Sequence, residues 1–483
     1  MIQEEIRSDF QLTEEEIRHL GSRVLDFLTD HWTSLRDKKI TNTLPFEEMS
    51  KLIPDALPWE GRSADEVLDH VVHHVFKHIL HTDHPRFFSF VPAPMNVIGA
   101  MADFLVAGFN PFAGHWLAGS GPTKVELVTI DWLRQLCGFP EAAGGLFVSG
   151  GSMANLTALA TARHVKMGEE FAAGTIYYSQ QTHSSLAKGL RILGISKKRL
   201  RPIPVNESYQ IDLEALENVI QEDMENGLRP FCVVGNAGTT NTGAIDDLKG
   251  LARIADVHDL WFHVDGAYGA AAILTDRGKE LLTGMELADS LTIDPHKWWF
   301  QPFEIGGLLV RNKRYLKSLF YVTAEYLEAT EREEPKEISF FKHGIQLTRS
   351  FRALKLYMSL KIFGLASFSQ AIQKGLDWAE YVQQLLEADP VWRVVSPATL
   401  GIICFQYTAP DLSPSDINAL NQTISNKMTE EGFALVLPTH LRGQTVLRIC
   451  PIHPALTKHD LDQTISKLKT YGDEILMNRA FRS

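Results

Sequence analysis

The 483-residue sequence predicts an α/β fold: a large unit with a mostly parallel sheet between helices, a helical N-terminal segment, and a small α+β C-terminal unit. Three observations predict it. Apolar runs of strand length alternate with helical patterns through the centre of the chain. Two of those runs end on a polar group followed by a turn, as strands of an open parallel sheet do at a ligand crevice. The first 77 residues instead set apolar and charged positions at helical spacing.

Taken in order, Glu16 to Leu28 repeats apolar residues at helical intervals and exposes a face that needs a partner, so residues 1–84 form an N-terminal helical segment. The central unit covers 85–376. In it, Phe147-Val148 reads as a strand that meets the turn Ser149-Gly-Gly-Ser152 and then the helix formers of Met153 to Arg163. Phe231 to Gly235, Leu260 to Asp265 and Leu291 to Ile293 read as buried strands. The last unit, 377–483, begins near Asp377 after the helix that carries Lys355. There Thr399 to Tyr407, Phe433 to Pro438 and Val446 to Cys450 read as strands. Ser413-Pro-Ser-Asp-Ile417 and Thr457-Lys-His-Asp-Leu461 open helices, the latter as a capping sequence.

The chemistry starts at Asp294-Pro-His-Lys297, just past the Leu291–Ile293 run. A lysine partly desolvated beside a second cationic group loses some of its preference for charge and becomes a nucleophile for a carbonyl carbon. Pyridoxal 5'-phosphate (PLP) supplies such a carbonyl. Asp265 precedes Lys297 by one strand-helix-strand length, so both project from strand ends into one crevice. A carboxylate there keeps a pyridine nitrogen protonated, which makes the ring an electron sink. Gly150, Gly151 and Ser152 open a helix whose N–H groups suit a phosphate. Neither a P-loop nor a dinucleotide Gly-x-Gly-x-x-Gly is present, so the phosphate belongs to something smaller. Each piece alone has a bland reading: a surface lysine, an aspartate opening a turn, a common glycine-serine loop. Their combination does not.

These motifs resemble the group II PLP-dependent amino-acid decarboxylases, which include the aromatic-L-amino-acid decarboxylases. The resemblance runs from about Pro85 to Gly364, through His84 to Pro92, Val148 to Asn155, Thr182 to Ser185, Ala237 to Thr240, His263 to Ala267, Asp294 to Trp298 and Ser350 to Lys355. It implies a fold type I, PLP-dependent transferase-like large domain. It also implies roles: Lys297 as the Schiff-base lysine, His296, Gly151 and Ser152 on the phosphate, Asp265 on the pyridinium, Ala267 under the ring, His183 stacked over it, and Thr240 beside it. Asp294 departs from the asparagine of several animal relatives, so a phosphate contact there would run through water or its backbone. Tyr326 matches the tyrosine that protonates the alpha carbon in decarboxylases; relatives with phenylalanine there form aldehydes. Tyr321 is a nearby competitor for that match. The charged run Glu328 to Glu337 falls where the family has a mobile lid over the neighbouring subunit's site, within 323–337. A homodimer with its active site at the subunit interface follows from the same resemblance.

The family's substrate pocket maps onto Phe90, Pro92, Phe112, Trp116 and Gly364. The three aromatics suit a hydrophobic side chain. Phe87 and Phe88 read as ordinary core. Gly114 replaces a family phenylalanine and leaves room; Gly364 falls where some plant relatives use glycine with indole substrates. An acidic substrate would want a dedicated arginine, and only Arg86 is close in sequence. The expected reaction is decarboxylation of a hydrophobic, aromatic L-amino acid to its amine. The alternatives are an aliphatic or acidic substrate, an aldehyde-forming relative, or a catalytically silent relative retained for binding.

Composition agrees. Lys and Arg total 47 against 59 Asp and Glu, a net charge of −12 with no basic patch, which argues against nucleic acid. The N-terminus lacks a signal-peptide pattern, and the most apolar run, Val97 to Phe109, is too short to span a bilayer and carries Asp103. Cys137, Cys232, Cys404 and Cys450 are scattered without metal-site or disulfide spacing, so no metal is expected and a reducing cytoplasm fits.

Overall fold

The computed structural model describes residues 10–54, 56–322 and 337–480. Its N-terminal helix Glu14–Ser34 is opened by a capping box, with Thr13 Oγ1 accepting from the Glu16 amide at 3.2 Å and the Glu16 carboxylate accepting from the Thr13 amide at 2.7 Å. No residue of this helix is buried, and Ile17, Val24, Leu25 and Leu28 are exposed. The apolar stripe read from the sequence therefore has no cover among the described residues.

The central sheet has seven strands: β1 (Gly144–Val148), β2 (Gly174–Ser179), β3 (Leu200–Ile203), β4 (Arg229–Asn236), β5 (Trp261–Asp265), β6 (Ser290–Ile293) and β7 (Gly306–Val310). Their order is β1-β7-β6-β5-β4-β2-β3. Only β7 runs against its neighbours; the remaining pairs are parallel. All five residues of β5 are buried, as expected for a strand covered on both faces, and this is why it reads as a continuous apolar run. Register does the functional work. Asn236 on β4 sits level with Asp265 on β5, and Asp265 with Thr292 on β6, so three carboxyl ends open on one edge.

A buried ion pair anchors that edge. Arg349 meets Glu126 at 2.5 and 3.1 Å, and Glu126 also accepts from the Phe147 amide at 2.9 Å. Both side chains are almost wholly shielded from solvent. The pair ties β1 to the helix Trp116–Leu136, three residues before the Gly150 turn.

The C-terminal unit is an antiparallel sheet in the order β10-β11-β9-β8, built from β8 (Trp392–Ser396), β9 (Ile403–Tyr407), β10 (Pro438–Leu441) and β11 (Gln444–Ile449). Helices Pro414–Glu431 and Lys458–Ala480 pack beside it, each started by the expected cap at Ser413 or Thr457. The run Phe433 to Leu437 is not a strand, contrary to the sequence reading. It is a buried connector that exchanges hydrogen bonds with Arg86, Phe88 and Ser89 instead of a sheet neighbour. Phe87 and Phe88 are core residues there, as read. The long helix Ala353–Glu387 is interrupted at Gly364, whose φ of 72° suits glycine. Beyond that break, Ile372 and Leu376 pack into the large core, Val382 and Leu386 into the C-terminal one.

Candidate active site

One cavity of about 350 Å³ opens at the carboxyl edge of β4, β5 and β6. Lys297, one residue past His296, reaches it from the turn after β6, and its Nζ lies 3.1 Å from Asp294 Oδ2. The same Asp294 oxygen is 3.6 Å from His296 Nε2, while Asp294 Oδ1 is buried without a hydrogen-bond partner among the described residues. Asp294 thus acts first on the lysine. Desolvation lowers the pKa of His296, against the pull of Asp294.

Asp265 ends β5 on the same edge. Its Oδ2 accepts from Asn155 Nδ2 at 2.9 Å and its Oδ1 from the Ala267 amide at 3.2 Å. Opposite, the helix Gly151–Met167 starts against the cavity with no side-chain cap, which leaves N–H groups of its first turn for a ligand. Gly151 is required there: a Cβ would stand 2.7 Å from Asp294 Oδ2 and 3.1 Å from Ala267 Cβ. His183 stands at the mouth, its outer edge in solvent. The wall desolvates the rest and lowers its pKa, against the pull of Asp265.

The sequence matches the pyridoxal-dependent decarboxylase conserved domain over residues 46–408. The chain belongs to this family. Among curated members it is 42% identical to an aromatic-L-amino-acid decarboxylase of Bacillus atrophaeus over 97% of this chain and 98% of that one. It is 29% identical to a phenylacetaldehyde synthase of Arabidopsis thaliana, over 92% of this chain and 93% of that one. The crystal structure of Oryza sativa TDC with PLP and tryptamine superposes with a TM-score of 0.92 at 24% identity, covering 96% of this chain and 99% of that one. That likeness establishes the shared fold.

As a pyridoxal-dependent decarboxylase the chain uses PLP, and the cavity fits it. An amine, a buried carboxylate and an uncapped helix start surround one space, and a methyl on Gly151 would crowd Asp294 and Ala267 at its wall. Gly151, Ser152, His183, Thr240, Asp265, Ala267, His296 and Lys297 all line it. Thr240 does so beside Thr239, whose hydroxyl is taken up by Thr242 at 2.8 Å. Asn155 also lines the cavity and went unassigned in the sequence, although it lies in the Val148–Asn155 motif. No spacing rule links it to Asp265, 110 positions away.

The substrate-pocket residues fall elsewhere. Phe90, Pro92, Phe112, Trp116 and Gly364 do not line this cavity within the single chain. Phe90 is exposed, Phe112 packs against His115, Trp116 starts its helix, and Gly364 is the helix break with open space around it. The room expected at Gly114 is filled, since a Cβ there would meet the Phe112 ring at 2.4 Å. Arg86 faces away: it hydrogen-bonds the Phe433 carbonyl and pairs with Asp460. Tyr326 and most of the 323–337 segment lie outside the described residues.

Proposed function

We propose that this pyridoxal-dependent decarboxylase converts a hydrophobic, aromatic L-amino acid to its amine and carbon dioxide. The observation that carries the reading is the convergence of Lys297, Asp265 and the uncapped Gly151 helix start on one cavity. Bound PLP supplies an electron sink for the bond broken at the alpha carbon. In this reading Lys297 would be the covalent attachment point, with Asp294 beside its Nζ. Gly151 and Ser152 donate backbone N–H groups to the phosphate, with His296 beside it. Asp265 would keep a proton on the ring nitrogen, Ala267 would pack under the ring, Thr240 would lie at its side, and His183 would cover it. Tyr326 returns the proton to the alpha carbon.

The aromatic preference is supported by the 42% identical relative, which is named for aromatic L-amino acids. A second reading, aldehyde formation, draws on the 29% identical phenylacetaldehyde synthase, and Tyr326 argues against it.

We assign residues 1–84 to an N-terminal helical dimerisation segment, 85–376 to the PLP-binding unit and 377–483 to the C-terminal unit. The exposed Ile17, Val24, Leu25, Leu28, Phe104, Phe109 and Leu117 support a homodimer, because apolar surface of this extent needs cover. In such a dimer Phe90, Pro92, Phe112, Trp116 and Gly364 complete the neighbouring copy's pocket and 323–337 closes over it. No described helix is long and apolar enough to cross a membrane, and four buried free cysteines suit the cytoplasm we assign.

Incubating PLP-loaded protein with a mixture of the common L-amino acids, read by mass spectrometry, tests the proposal. One dominant aromatic amine is expected. An aliphatic or acidic amine refutes the pocket reading, and an aldehyde refutes the role of Tyr326. No product points to the silent relative.

A further inference from the structure

Behind the cavity runs a line of buried hydrogen bonds whose direction is fixed at both ends. Trp261 Nε1 can only donate, and it reaches Ser290 Oγ at 2.8 Å. Ser290 Oγ lies 2.8 Å from His263 Nδ1, His263 Nε2 lies 3.0 Å from Asn155 Oδ1, and Asn155 Nδ2 lies 2.9 Å from Asp265 Oδ2. An ionised carboxylate only accepts, so the amide turns its NH2 toward Asp265 and its oxygen toward the imidazole. His263 therefore carries its proton on Nε2, and its Nδ1 accepts the Ser290 hydroxyl. Thr292 supplies a second donor to Asn155 Oδ1 at 2.7 Å. Trp261, Ser290, His263, Thr292, Asn155 and Asp265 are all buried, and full desolvation holds His263 neutral by lowering its pKa.

Asn155 also branches. Its Nδ2 donates to Ser185 Oγ at 3.2 Å. Ser185 Oγ is 2.9 Å from His183 Nδ1, and the Ser185 amide donates to that same nitrogen at 3.2 Å. His183 Nδ1 is thus an acceptor, and the ring proton sits on Nε2.

We propose that Asn155, braced by His263, is a positioning residue that orients two groups of the site at once: Asp265 directly, and His183 through Ser185. The bland reading is a buried polar network that only stabilises the sheet. The two differ in what moves when the hub is removed. A structural network changes unfolding alone; a positioning hub also changes the basicity of whatever faces Asp265. The remaining charged groups near His183 are Lys297, Asp294 and Lys188, and the variants below leave them in place.

The proposal rests on Asp265 facing the ring nitrogen of PLP, so the test includes a control for that assignment. Holoenzyme is prepared with PLP carrying 15N in the pyridine ring, and the ring-nitrogen shift is followed against pH. In Asn155→Ala the ring pKa is expected to fall by about one unit, a tenfold change in the protonated-to-neutral ratio. His263→Phe is expected to move it in the same direction, and His263→Gln, which keeps a donor for Asn155, to restore it. An unchanged ring pKa in Asn155→Ala, with a shifted one in Asp265→Asn, overturns the hub while the Asp265 assignment stands. If Asp265→Asn leaves it unchanged as well, that assignment fails and the hub with it. A second measurement needs no variant to fold: in 15N-histidine spectra of the wild-type protein, His183 and His263 are both expected as Nε2–H tautomers at pH 7. An Nδ1–H form of either overturns the proposal.

Discussion

Gly151→Ala tests the cradle most directly. The added methyl would sit 2.7 Å from Asp294 Oδ2 and 3.1 Å from Ala267 Cβ, both inside ordinary contact. Ala267 is fixed by the backbone just after β5, so Asp294 must give way, and it cannot do so without loosening its 3.1 Å hold on Lys297. Overpacking of this kind costs about 1–3 kcal/mol in the folded protein. The cost specific to PLP comes from tilting the helix start away from the phosphate. Losing one hydrogen bond to a charged group is worth about 1.5–3 kcal/mol, which is about a 10- to 100-fold rise in the Kd for PLP. The assay is a titration of apo protein with PLP followed by visible absorbance, with thermal unfolding of the apo form alongside. A lowered apo Tm with a Kd within twofold of wild type would refute the reasoning: Gly151 would then matter for packing and not for phosphate.

Lys297→Ala is expected to abolish turnover and the visible absorbance of bound PLP together; retained absorbance with normal turnover would move the attachment elsewhere. Glu126→Gln leaves the Arg349 guanidinium buried with a donor facing a donor, and should cost about 3–5 kcal/mol in urea unfolding followed by tryptophan fluorescence. A loss under about 1 kcal/mol would count against a buried, ionised pair. His84 is buried, accepts from the Arg86 amide at 2.9 Å, and has its pKa pushed down to about 4 by desolvation. The folded state therefore resists a proton that the unfolded chain takes up below about pH 6.5, and stability is lost as pH falls from there toward 4. His84→Asn should remove about 1.4 kcal/mol per pH unit from the slope in that window, and an unchanged slope would show His84 already charged. Tyr326→Phe should shift product from amine toward aldehyde by mass spectrometry; unchanged amine yield removes Tyr326 from the protonation step.

The cofactor side of the site was legible because its groups sit at strand ends and helix starts. Lys297 follows the β6 run, Asp265 closes the β5 run, and Gly151 opens a helix, so sequence position alone placed them on one edge. Asn155 and His263 were not legible as a pair. Asn155 lies 108 positions from His263 and 137 from Thr292, and it meets them only because the helix Gly151–Met167 packs on β5 and β6. Phe433 to Leu437 misled because an apolar run marks burial, not pairing; here the Arg86–Ser89 segment takes the place of a strand. Gly114 misled for a related reason: a missing side chain predicts space only when no neighbour fills it, and Phe112 does.

The long helix Ala353–Glu387 changes neighbours between Leu376 and Val382, with no linker at the change. The division near Asp377 is thus a handover along one rod and not a place to cut. A chain ended there would strip Val382 and Leu386 from the C-terminal core, and a fragment begun there would lose the stem that carries them. The two units should melt in one transition, and neither should be transplantable as a module into another protein.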